Sequence, residues 1–148
     1  MNYEAYPFRY KEDNNHFQFQ SVGKRGTFEK VIAITLIEDD IYNLALLDMD
    51  PVTQGYNDKS VTDNGDMPKI LATVMAVIID FLNQYPHRKI YLIGNTASRT
   101  RLYQIAINKI LDQIENDPIV LGYHNSQWIP FEPNRNFESF LIIRNFLD

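Results

Sequence analysis

The chain has 148 residues, 45% of them hydrophobic and 22% charged, a make-up that excludes a disordered protein. A chain of this length buries roughly two thirds of its unfolded surface, and one domain spanning 1–148 is the expectation. There is no cysteine, which excludes disulfides, zinc ribbons and thiol chemistry, and the net charge of −5 counts against a nucleic-acid partner that needs a basic surface.

The first ten residues, M-N-Y-E-A-Y-P-F-R-Y, hold no basic region followed by an apolar run, so a secretory signal is not expected. The longest apolar stretch, Ile70 to Leu82, is about four residues short of a membrane span and carries Thr73 and Asp80. Together with the missing cysteine, this gives a cytoplasmic location and no membrane contact as expectations.

Pro7 confines the stretch Tyr6 to Tyr10 to an edge strand. The run H-F-Q-F-Q-S-V alternates Phe17 and Phe19 with Gln18 and Gln20, the pattern of a half-buried strand. Gly23-Lys24-Arg25-Gly26 is a tight turn into a second strand, Thr27 to Leu36, and its basic tip reads as solvated. Glu38-Asp39-Asp40 is an acidic turn leading to a further strand, I-Y-N-L-A-L-L. An antiparallel meander therefore fills the first third of the chain. The following stretch, Asp48 to Asp66, is irregular, rich in Asp, and reads as a long loop.

Asp66-Met67-Pro68 opens a helix, with Asp66 as its cap and proline in the first turn. Leu71, Val74, Met75, Ile78, Phe81 and Leu82 share one face, and Ile70, Val77 and Ile79 make the rest apolar, so this helix is expected to be largely buried core. Pro86 stops it. Lys89 to Ile93 is a short strand, and Gly94-Asn95 leads to a second helix expected to run to about Glu115. Thr96 and Ser98 are both candidate caps for it. Leu102, Tyr103, Ala106, Ile107, Ile110, Leu111 and Ile114 form its apolar face. Ile119 to Tyr123, Trp128 to Phe131 and Phe137 to Ile143 supply two or three more strands, with a turn at Asn125-Ser126. The fold class is α+β: a meander, then helix, strand, helix and strands, with the helices mainly on one face of the sheet.

The turn Thr96-Ala97-Ser98-Arg99-Thr100-Arg101 is the strongest site candidate, because hydroxyls, free helical N–H groups and guanidinium groups converge as an anion site requires. Arg99 projects inward at the helix start, whereas Arg101 shares a more solvated face with Gln104, Ile105 and Asn108. The competing reading pairs Arg99 with a carboxylate of the acidic loop. No phosphate-binding P-loop is present. Asp48 and Asp50, backed by Asp63 or Asp66, have the chemistry to hold Mg²⁺, but solvation and capping account for most of them, and neither a metal nor a cofactor is expected. His16, His87 and His124 lie far apart and lack zinc spacing. Tyr123, Trp128 and Phe131 are candidates for stacking bases, although strand aromatics are usually core.

Four blocks carry a family resemblance: F-x-S-V-G-x-x-G-x-x-x-K-V (Phe19 to Val31), D-N-G-D-M-P-K-I-L-A-T-V (Asp63 to Val74), I-G-N-T-A-S-R-T-R-L-Y (Ile93 to Tyr103) and P-F-E-P-N-R-N-F-E-S-F (Pro130 to Phe140). With them the chain resembles a family of uncharacterised small bacterial proteins known as a domain of unknown function. That family carries Ser where this chain has Asn95, which weakens an anion cradle there. A looser likeness, at the level of topology, is to single-stranded nucleic-acid-binding domains of the PUR and whirly type, which place four antiparallel strands before a helix.

The leading functional expectation is a non-catalytic binding or regulatory module. Its ligand site would comprise Asn64, Asp66, Thr96, Ser98, Arg99 and Arg101, where the polar loops before the two helices share one end of the domain. The alternatives are a small hydrolase of phosphoesters or nucleic acids, with Arg99 stabilising charge on phosphate, and a PUR/whirly-type nucleic-acid binder. The expected partner is a small anion, a nucleic acid or a protein, and an exposed strand edge would serve a homodimer.

Overall fold

In the computed structural model of the protein, residues 4–10, 15–49, 56–57, 64–111 and 117–145 are described. The alternating runs become strands β1 (Arg9–Tyr10), β2 (His16–Gly23), β3 (Gly26–Glu38), β4 (Ile41–Met49) and β5 (Tyr56–Asn57), followed by helix α1 (Met67–Gln84), strand β6 (Lys89–Leu92) and helix α2 (Ala97–Leu111). Strands β7 (Ile119–His124), β8 (Gln127–Pro130) and β9 (Ser139–Ile143) complete the order. They form one sheet in the order β1-β2-β3-β4-β6-β9-β7-β8, with β5 pairing β4 beyond β6. Every pairing is antiparallel except β4 with β6, which the crossover through α1 makes parallel. The arrangement is α+β, as the residue pattern implies.

Period-two alternation decides which side chains meet the helices. Phe17 and Phe19 of β2, Ile32 and Ile34 of β3, and Leu44 and Leu46 of β4 point to one face. Ile90 and Leu92 of β6 and Phe140 and Ile142 of β9 join them. Against this face pack Ile70, Val74, Val77, Ile78, Phe81 and Leu82 of α1 and Tyr103 and Ile107 of α2, all in one core cluster. Transfer of such side chains out of water is worth about 1.5–3 kcal/mol each. The apolar circumference of α1 is thus mostly core. At 18 residues the helix outruns the apolar stretch Ile70 to Leu82, so by length and composition alone it matches a membrane span, although half of it is buried in this fold.

Turns fall where local chemistry puts them. Gly23 and Gly26 pair across a two-residue tip formed by Lys24 and Arg25. Asn125 and Ser126 both adopt positive φ, the geometry that closes a tight hairpin between β7 and β8. The N-terminal edge strand is shorter than its sequence stretch: β1 keeps only Arg9 and Tyr10. Residues 4–8 instead lie along α1, where the Tyr6 N–H donates to Thr73 Oγ1 at 2.8 Å. Thr73, fully buried inside α1, in turn donates to the Lys69 carbonyl at 2.8 Å.

Chain direction sets the location of the candidate site. The first hairpin tip, the C-terminal ends of β4 and β6, and the starts of α1 and α2 all face the same way along the sheet, although β6 ends opposite Leu44, midway along β4 and short of the hairpin tip. Helices that follow strands in this way bring loop polar groups to the carboxyl ends of the strands, where ligands of α/β units commonly sit.

Candidate functional site: the two helix starts

At the start of α1, Asp66 occupies the cap position, but its side chain makes no cap hydrogen bond, which corrects the capping role read from the sequence. Its Oδ2 instead accepts from the Tyr6 hydroxyl and from Ser21 Oγ, both at 2.5 Å, and its Oδ1 is buried without a partner among the described residues. Burial and the hydrogen bond to Asp66 push the Tyr6 phenol up from its usual range.

Asn64 is buried beside it and fully engaged. Its amide donates to Ser21 Oγ at 3.1 Å and to the Gly26 carbonyl at 3.0 Å. Its Oδ1 accepts the Arg25 N–H at 2.7 Å, and its main-chain carbonyl accepts the Lys24 N–H at 3.1 Å. A Cβ on Gly23 would lie 2.0 Å from the Asn64 carbonyl oxygen, so only glycine admits this approach. The first two motif blocks therefore meet in a polar latch that fastens the chain entering α1 to the β2–β3 turn.

At the start of α2, Thr96 is the cap: its Oγ1 accepts the Arg99 N–H at 3.1 Å. Ser98 falls inside the helix and is exposed. Thr100 Oγ1 accepts the Gly94 N–H at 3.0 Å, and a Cβ on Gly94 would come within 2.4 Å of the Thr100 nitrogen. Glycine thus lets β6 run directly against the first turn of α2. Arg99 is half-buried and Arg101 exposed, the division of labour expected from their spacing. Arg101 reaches Asn136 Oδ1, at 3.4 Å, whereas Gln104, placed by the sequence on the solvated face, is buried and donates to the Arg135 carbonyl at 2.6 Å.

The Arg99 guanidinium lies beside the buried Tyr103 phenol. Burial pushes that phenol up, while the charge of Arg99 pulls it part of the way back. Guanidinium only donates, and the Tyr103 phenol keeps its own proton to donate. Both residues line a pocket of about 140 Å³ with Gly94, Asn95 and residues 43–46 of β4. Among the described residues no carboxylate pairs with Arg99.

The expected site residues thus separate into groups. Asn64 and Asp66 bond to the first hairpin, Thr96 and Arg99 belong to the α2 turn, and Arg101 faces the 131–137 segment. Among the described residues no hydrogen bond or ion pair joins Asn64 or Asp66 to Thr96 or Arg99. Of the carboxylates considered for a cation, Asp48 takes the buried Lys30 ammonium at 2.5 Å, and Asp50 and Asp63 lie outside the described residues, as do Asp58 of the acidic loop and Ile114 and Glu115 of the expected helix end. No group of three His, Asp or Glu side chains suited to a metal occurs among the described residues. The aromatic trio also splits. Tyr123 and Trp128 contact each other on the face without helices, while Phe131 stacks on Phe137 against the core.

One feature was missed in the sequence: a second, larger cavity between the helices, lined by Met75, Ile79 and Asp80. Its signal was the apolar side of α1 left over after the core face was assigned. No curated protein and no solved structure matches the chain. A family model does match residues 2–145, nearly the whole length, and with it the chain belongs to the Family of unknown function (DUF6934).

Proposed function

We propose that this protein is a non-catalytic binding module whose ligand presents a carboxylate or phosphate group to Arg99 and Tyr103. The observation that carries the reading is a half-buried guanidinium lining a pocket with no acid paired to it among the described residues. A pocket of about 140 Å³ accommodates one anionic group, with the rest of the ligand lying outside. Arg99 supplies charge-assisted hydrogen bonds and the Tyr103 phenol a second donor. The start of α2 adds its partial positive charge. Ser98, exposed in the same turn, extends this surface toward a larger ligand, whereas Arg101 turns to the 131–137 segment.

Asn64 and Asp66 take a different role in this reading: they hold the hairpin end of the sheet in shape and do not touch the ligand. The hydrolase alternative loses support from Asp48, whose charge Lys30 already compensates. A bacterial, cytoplasmic setting goes with the reading and rests on the absence of cysteine and on the family resemblance.

Thermal unfolding with inorganic phosphate, citrate, a nucleoside monophosphate and a short single-stranded oligonucleotide tests the proposal. An anion at one hundred times its Kd adds about 2.7 kcal/mol of stability. The expected result is such a shift in the wild type and none in Arg99→Met. A shift that survives Arg99→Met, or no shift with any anion, contradicts the site.

A further inference from the structure

A groove of about 650 Å³ runs between α1 and α2, with part of the N-terminal segment in its wall. Its lining is apolar: Phe8, Leu71, Met75, Ile79, Leu102 and Ile105 contribute, and Ile105 remains 44% exposed. Within this surface sits Asp80, whose Oδ2 is buried with no hydrogen-bond partner among the described residues. The other polar members are occupied. Asn83 Oδ1 accepts from Arg144 Nη1 at 2.6 Å, and Lys109 has a partner of its own.

A buried carboxylate oxygen without a donor is costly, and in a mostly apolar groove its strongest complement is a cationic N–H. The groove volume lies within the range of roughly 300–1,000 Å³ typical of small-molecule sites, which are likewise mostly apolar with few placed polar groups. We infer that this groove is a second binding site, for a small amphipathic organic amine whose apolar body lies between the helices and whose ammonium group meets Asp80. The single carboxylate decides the choice of occupant: it selects a cation over an alcohol or a fatty acid and fixes one position for the headgroup. This site is separate from the Arg99 pocket, shares no lining residue with it, and selects the opposite charge.

The test compares three probes of one shape, 4-phenylbutylamine, 4-phenylbutanol and 4-phenylbutyrate, by isothermal titration at pH 7 on the full chain. The expected result is that the amine binds at least tenfold more tightly than the alcohol, and the carboxylate more weakly than both. Asp80→Asn preserves shape and is expected to erase the amine's advantage while leaving alcohol binding in place. Amide shifts on binding are expected at Ile79, Asp80 and Ile105. Equal affinity for amine and alcohol in the wild type overturns the proposal without reference to any variant. An amine preference that survives Asp80→Asn, or amide shifts located elsewhere, overturns it too. Sedimentation covers the remaining occupant: a wild-type dimer that Ile105→Asp converts to monomer assigns the groove to a second copy of this chain and sinks the amine reading.

Discussion

The starts of α1 and α2 face the same way along one sheet, and both follow polar, glycine-containing loops, yet their polar groups are disposed in opposite ways. Before α1, Asn64 uses both amide hydrogens, its side-chain oxygen and its carbonyl on the β2–β3 turn, and Asp66 takes two hydroxyl donors through one oxygen. Before α2, the backbone is equally well fastened, by Thr96, Thr100 and Gly94, but the long side chains are not consumed. Arg99 stands beside Tyr103 in a pocket, its guanidinium paired with no carboxylate among the described residues. Polar groups spent on one another specify a fold, and before α1 only Asp66 Oδ1 is left over among the described residues, whereas a half-buried charge with donors to spare is available to a ligand. Proximity of polar motifs in sequence or space does not separate these two cases. Counting their partners does.

The largest effect expected is on the latch. Asn64→Ala strands the Arg25 N–H, the Gly26 carbonyl and Ser21 Oγ, and is expected to cost about 3 kcal/mol of stability in urea unfolding. Anion affinity, referred to the folded fraction, should remain at the wild-type value. A large drop in that affinity would merge the two helix starts into one site.

Gly94→Ala attacks the other start through its backbone. The added Cβ meets the Thr100 nitrogen at 2.4 Å, so the first turn of α2 must move. The expected cost is roughly 2 kcal/mol, in the range of overpacking elsewhere, accompanied by weaker anion binding. Full stability with full binding would show that the close approach of β6 to α2 is not needed.

A smaller effect sharpens the comparison from outside. Asp117 lies at neither helix start. Its burial raises its pKa, but the Asn145 N–H and the Arg144 guanidinium outweigh that and hold the carboxyl below its usual range. A lowered folded-state pKa means stability that is present above the unfolded value, about 3.9, and is lost as pH falls through the folded value. Asp117→Asn should therefore lower stability near neutral pH and flatten the acid limb of the stability curve. Because the pair is partly solvated, the effect should be modest and weaken with salt. An unchanged acid limb in Asp117→Asn would count against this pairing.

Much of the architecture was legible because alternation and punctuation act locally. Phe17 and Phe19, the two-glycine turn, the Pro68 entry to α1 and the Asn125-Ser126 hairpin each require only neighbouring residues to be read. The position of β9 was not legible. The last strand in sequence inserts between β6 and β7, and strand order is decided by long-range burial. Its local trace is the unbroken run Phe140-Leu141-Ile142-Ile143, of which Phe140 and Ile142 face the core, and such a run does not specify which strands lie beside it. The site was legible in part. Helical spacing separated Arg99 from Arg101, since it depends only on residue count. The destination of Asp66 was hidden, because Tyr6 and Ser21 lie 60 and 45 residues away. Gln104 was misplaced for the same reason, its carbonyl partner being 31 residues distant.

The most direct measurement is a crossed one: melting temperature and phosphate-induced shift in Arg99→Met beside the same pair of values in Asn64→Ala. The account predicts that Arg99→Met stays within about 0.5 kcal/mol of the wild-type stability and loses the phosphate shift. Asn64→Ala is predicted to lose stability and keep the shift. If Arg99→Met unfolds as readily as Asn64→Ala and the wild type shows no phosphate shift, Arg99 is another fastening of the fold and the binding site is elsewhere.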